Sequence, residues 1–98
     1  MTSCEANRLI STTVTGKQTQ LPIDSVFVDV KAGKKGDYTK NNASGYTDPN
    51  GKFETYMMIG RTFGCYDIFI EYNKAGYVNK SELNNTEGTV ELEKQTVQ

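Results

Sequence analysis

Side chains from Asp24 to Ala32 alternate strictly, with Val26, Val28 and Val30 on one side and Ser25, Phe27 and Asp29 on the other. Two-residue periodicity is the repeat of an extended strand, and β-branched residues on one side alone describe a sheet packed on one face and wet on the other. The pattern returns from Cys65 to Tyr72, where Tyr66, Ile68, Ile70 and Tyr72 oppose Cys65, Asp67, Phe69 and Glu71. The charged members mark the second set as the outer face. A chain made of such runs must stack two sheets to bury its apolar sides.

Other strands are expected on the same grounds. From Leu9 to Gly16, Ile10 and Val14 alternate with threonines, and Gly16 to Pro22 reads as a turn or crossover. Lys52 to Ile59 is a strand with Phe53, Met57 and Ile59 inward, and Gly88 to Glu93 is a last strand with Val90 and Leu92 inward and Glu91 and Glu93 outward. Gly33 to Ser44, with its lysines, glycines and asparagines, is expected to be a surface loop. Asn79 to Glu87 is expected to be a polar connection, and no helix of useful length fits anywhere.

The sharpest local signal is Thr47-Asp48-Pro49-Asn50-Gly51-Lys52-Phe53. Pro49 suits the first central position of a type I turn, Asp48 can accept backbone hydrogen bonds from two residues on, and Gly51 can take positive φ. The stretch predicts a bulged hairpin. Asn73 to Tyr77 predicts a second turn around Gly76.

Composition excludes several chemistries. There is no histidine, hence no ordinary Ser-His-Asp or Cys-His nucleophile and no His-containing zinc site. Two cysteines cannot form a four-thiolate centre. Net charge is −1 with no basic cluster beyond Lys31, Lys34 and Lys35, so no nucleic-acid partner is expected. Carboxylates alone could serve a glycosidase or calcium, but Asp48-x-Asn50-Gly51 lacks the distal glutamate of a calcium loop, Ile59 standing in its place.

A strand from Ile10 to Thr15, then Leu21-Pro22-Ile23 ahead of Val26, Val28 and Val30, then Thr47-Asp48, Asn50-Gly51 and Phe53, then Tyr66-Asp67-Ile68 and Gly76-Tyr77, resembles the carboxypeptidase regulatory-like domain, of the prealbumin-like (transthyretin-like) group. One departure is Thr12, where that family commonly has glycine. The resemblance implies an all-β, seven-stranded Greek-key β-sandwich of prealbumin-like topology over residues 9–94, after a polar leader, 1–8, and before a tail, 95–98. It also implies a module without catalysis or cofactor, since the zinc chemistry of carboxypeptidases carrying such domains lies in a separate domain. Hydroxyisourate hydrolases share the wider fold but depend on histidines. Collagen-adhesin B-type repeats share it too, some with a Lys to Asn isopeptide link, but Thr89 to Glu93 offers no Asn for that bond.

Phe27 and Phe69 are the candidate partner-binding residues. Both fall on outer strand faces, and in prealbumin-like sandwiches their strands would be neighbours, bringing the rings within reach of each other. Cross-strand pairing that merely stabilises the sheet is the plainer account. Tyr38, Tyr46 and Tyr56 could stack on sugar rings, although tyrosine equally packs along a sheet with its hydroxyl in water. Cys4 follows Thr2-Ser3 as in the cleavage site of a bacterial lipoprotein, which makes it a candidate lipid attachment, but the apolar segment that should precede it is absent. Pairing of Cys4 with Cys65 is the alternative, an ordinary thiol the third. Asn42, Asn79 and Asn84 match the N-glycosylation pattern, which an Asn- and Thr-rich chain meets often by chance.

The expected function is that of a non-catalytic binding or spacer module of a bacterial cell-surface or periplasmic lipoprotein. It would be secreted or in the cell envelope, with a protein or glycan partner and membrane attachment by lipid alone. A carbohydrate-binding module and a small carboxylate-dependent hydrolase are the alternatives.

Overall fold

A computed structural model of the chain describes residues 7–34, 37–58 and 67–95. Seven strands run in the order β1 (Asn7–Gly16), β2 (Phe27–Lys34), β3 (Asp37–Tyr46), β4 (Lys52–Met58), β5 (Asp67–Asn73), β6 (Lys80–Leu83) and β7 (Glu87–Leu92). They form a three-stranded sheet, β4-β1-β7, and a four-stranded sheet, β3-β2-β5-β6. The protein is an all-β, seven-stranded sandwich of two sheets, with no helix among the described residues.

The core is the layer that the alternation requires. Ile10, Val14, Phe53, Met57, Val90 and Leu92 meet Val28, Val30, Ala32, Ile68, Ile70 and Tyr72, while Ile23 and Val26 fill in from the β1–β2 crossover. Burial of each large aliphatic side chain contributes about 1.5–3 kcal/mol. Ile59, Cys65 and Tyr66 lie outside the described residues.

The valine-rich strand begins at Phe27, later than Asp24, because Ser25 stands at φ 58 and turns the chain between the sheets. Residues 37–46 form strand β3, so the expected loop from Gly33 to Ser44 is corrected: only 35–36 separate β3 from β2. Its polarity fits an edge position, paired on one side by β2. A short strand, β6, likewise occupies the polar connection after Asn79 and forms the other edge of that sheet.

The Asp48 turn forms as its residues demand. Asp48 Oδ1 accepts the N–H of Asn50 and of Lys52, both at 2.9 Å, the Gly51 N–H donates to the Asp48 carbonyl at 2.8 Å, and Gly51 stands at φ 75. It closes no hairpin, however, because β3 and β4 belong to different sheets. Buried Thr47 redirects the chain there. Its hydroxyl donates to the Ile23 carbonyl at 2.8 Å and accepts the Val26 N–H at 3.0 Å, fastening the corner to the β1–β2 crossover.

One pairing governs the placement of the ends. β1 is antiparallel to β4 but parallel to β7, with Ser11 opposite Glu87 and Gly16 opposite Leu92. The chain therefore enters the sandwich at one pole and leaves it at the other.

Candidate functional site

The outer face of the four-stranded sheet gathers the most varied chemistry. Pairing of β2 with β3 and β5 sets Phe27 between Tyr46 and Asn73, Asp29 between Ser44 and Glu71, and Lys31 between Asn42 and Phe69. Pairing of β5 with β6 adds Leu83 beside Phe69. Three cross-sheet rows result. The first is aromatic: the Phe27 and Tyr46 rings lie 5.3 Å apart, tilted by 56°, and Tyr46 is 66% exposed. That geometry suits the ring quadrupoles.

The middle of the face is ionic. Lys31 Nζ lies 3.3 Å from Glu71 Oε1 and 3.6 Å from Asp29 Oδ2. The hydrogen bond to Glu71, then the charges of Glu71 and Asp29, hold the Lys31 ammonium above its ordinary pKa. The far row runs from Asn42 and Lys31 to an apolar end, with exposed Leu83 opposite Phe69.

Phe27 and Phe69 thus share a face on neighbouring strands, but they do not touch. Phe27 stands opposite Asn73 and Phe69 opposite Lys31, four residues along, or about 13 Å apart. The ring that meets Phe27 is Tyr46, whose place beside it was hidden because residues 33–44 read as a loop. Alternation could have shown this: Ala43 and Gly45 face inward while Asn42, Ser44 and Tyr46 face outward.

The other candidates are scattered. Cys4 and Cys65 lie outside the described residues. Of Tyr38 only the backbone, on β3, is described. Tyr56 is 71% exposed, on the outer face of the other sheet. Asp48 has its Oδ1 committed to the turn. Asn84, at φ 60, accepts the Ile68 N–H through Oδ1 at 2.9 Å and donates through Nδ2 to Asp67 Oδ1 at 3.2 Å, so its amide anchors the turn after β6. Asn42 and Asn79 are exposed. No cluster of three metal-ligating side chains occurs among the described residues.

Two shallow depressions lie among the described residues. One, of about 350 Å³, lies on the outer face of the three-stranded sheet between Leu9, Ser11, Thr13, Lys52, Glu87 and Thr89. Its neighbour Glu54 accepts the Ser11 hydroxyl at 3.0 Å and sits 3.5 Å from Lys52 Nζ, while Tyr56 stands opposite Leu9. The other, of about 360 Å³, runs along the seam between β6 and β7. Its β7 wall carries Glu91, hydrogen-bonded to Gln20 at 2.9 Å, and Glu93, 4.0 Å from Lys17; the wall ahead of β6 supplies Val78, Asn79, Lys80 and Ser81.

No family model matches the chain. No curated protein matches it either. Among solved structures it is similar to 3-chlorocatechol 1,2-dioxygenase from Rhodococcus opacus 1CP, with a TM-score of 0.71 and 13% identity, covering 95% of this chain and 62% of that one. This chain therefore spans less than two thirds of that enzyme's length. At such identity the likeness is one of fold: a β-sandwich.

Proposed function

We propose that the protein is a non-catalytic spacer and binding module of a bacterial cell-surface or periplasmic lipoprotein, of the carboxypeptidase regulatory-like kind, anchored by lipid on Cys4. The observation that carries this reading is the parallel pairing of β1 with β7. From Asn7 to Gly16 the chain advances about 30 Å, and Leu92 ends beside Gly16, so segments on either side of the sandwich are held apart by its length.

Two features support a role without catalysis. The acids that share a depression, Glu91 and Glu93, sit on one strand with Gln20 and Lys17 already bound, whereas a carboxylate mechanism needs two acids facing each other across a substrate. The chain also lacks histidine. The outer face of the four-stranded sheet, with its Phe27–Tyr46 pair, its ionic centre and its Phe69–Leu83 edge, is the surface offered to a protein partner.

The spacer role is tested by placing one copy, then two in tandem, between donor and acceptor fluorescent domains. The donor–acceptor distance obtained from the transfer should grow by a fixed step with each copy. Transfer that stays high and varies with salt would contradict it.

Carbohydrate binding is the second reading, favoured by one specific arrangement: exposed Tyr56 opposite Leu9, next to a depression lined by Ser11, Thr13 and Thr89 hydroxyls. Retardation of the chain in polysaccharide-containing gels, lost in Tyr56→Ala, would establish it. Equal mobility of the two proteins would dispose of it.

A further inference from the structure

A pull on the chain from both sides enters the sandwich at β1 and leaves by way of β7. These strands are hydrogen-bonded neighbours over six residue pairs, Ser11–Gly16 with Glu87–Leu92. The ladder is closed at one end by the Ser11 N–H donating to the Thr86 carbonyl at 2.8 Å and at the other by the Lys17 N–H donating to the Leu92 carbonyl at 2.9 Å. In a parallel ladder the bonds are evenly spaced along the strands. Drawing Asn7 away from Gln95 slides β1 lengthwise along β7, so every bond between Ser11 and Lys17 is loaded together. Antiparallel neighbours pulled from a shared end would instead open one bond at a time.

The surroundings reinforce this geometry. β1 is the central strand of its sheet and pairs on its other side with β4 over seven residues, Asn7–Thr13, so sliding it shears a second ladder. The exit from β7 is tied down as well. Tyr77 pairs with Lys94, the Val78 N–H donates to the Glu93 carbonyl at 2.8 Å, and the Gln95 N–H donates to the Gly76 carbonyl at 3.0 Å. Val14, Val90 and Leu92 are buried beneath the ladder and keep water from one side of it.

We infer that the β1–β7 ladder is a mechanical clamp, and that the sandwich bears load, remaining folded when the chain on either side is stretched. The clamp rests on the spacer reading for its use, though the geometry stands independently.

The test is single-molecule force spectroscopy on the full chain in a Cys4→Ser, Cys65→Ser background, tethered first through its two ends. It is then tethered through Asp24→Cys and Asn73→Cys, exposed positions at one pole, since Phe27 pairs with Asn73. Forced unfolding reports the unfolding barrier along the pulled direction, and the end-tethered chain should rupture at about twofold higher force than the other. It should also rupture in one abrupt event. Equal or lower force through the ends, or stepwise opening at low force, would overturn the clamp. That failure is distinct from failure of the spacer reading, which the tandem experiment reads directly: a fixed step per copy with weak end-to-end resistance leaves a spacer and removes the clamp.

Discussion

The Val14 N–H donates to the Gly51 carbonyl at 2.7 Å, and Gly51 Cα lies so close over Val14's own carbonyl oxygen that no side chain fits between them. The same Val14 oxygen accepts the Ile23 N–H at 3.0 Å, so β1, the corner turn and the crossover converge on one backbone position. Gly51 is required twice, by its φ of 75 and by this approach. Gly51→Ala should cost about 3 kcal/mol or more in urea unfolding, the left-handed penalty of about 1–2 kcal/mol plus the collision. Gly76→Ala, at φ 87 with open space around it, should cost only the first part. Equal losses for the two variants would contradict the close approach.

Thr47 is a polar residue held in the interior by two hydrogen bonds to the crossover. Thr47→Val keeps the shape but strands the Ile23 carbonyl and the Val26 N–H, and should destabilise by about 1–3 kcal/mol. Hydrogen exchange should show the Val26 amide losing protection before the amides of β5. An unchanged denaturation midpoint would contradict this role.

Thr12 and Tyr72 lie in the core, and neither the Thr12 Oγ1 nor the Tyr72 hydroxyl makes a hydrogen bond of good geometry. Tyr72→Phe and Thr12→Val should each leave stability unchanged or raise it by up to about 1 kcal/mol. Burial lifts the Tyr72 phenol above its ordinary value, the Thr12 hydroxyl opposing the shift only in part. A raised folded-state pKa means that the native state keeps a proton the unfolded state gives up. This contribution is complete below about pH 10 and is lost as pH rises through the folded value. Tyr72→Phe should therefore weaken the alkaline loss of stability. A steeper loss in the variant would contradict the assignment.

Phe27 and Phe69 stand about 13 Å apart along their strands and should act independently. Phe27→Ser removes the contact with Tyr46, for which a cross-strand pair contributes about 0.2–1 kcal/mol. The double variant with Phe69→Ser should equal the sum of the singles within about 0.5 kcal/mol. A larger coupling would mean that the rings communicate through the Asp29–Lys31–Glu71 ion cluster.

The legible parts of the fold are those where one face must be apolar. Val26, Val28 and Val30, and Ile68, Ile70 and Tyr72, are buried where alternation places them. β3 is hard to read because its inward residues are small: Ala43 packs on the core and Gly45 lies under the Phe53 ring, which a Cβ on Gly45 would approach to 2.9 Å. Edge strands such as β6 carry charge in place of pattern, since Lys80 and Glu82 alternate with Ser81 and Leu83. The Asp48 turn was readable as a turn but not as a corner, because what makes it one is a buried hydroxyl on Thr47 bonded to residues more than twenty positions away. Parity likewise puts Phe27 and Phe69 on one face without setting the register that separates them, and it is that register which pairs Phe27 with Tyr46.

The spacing of the two ends and the resistance to load both depend on β1 and β7 running side by side in the same direction. Spin labels on Asn7→Cys and Gln95→Cys, in the Cys4→Ser, Cys65→Ser background, measure this directly by pulsed dipolar spectroscopy. The parallel arrangement predicts a narrow distribution centred at about 30 Å or more. A separation near the ~5 Å spacing of adjacent strands would put both ends at one pole and contradict it.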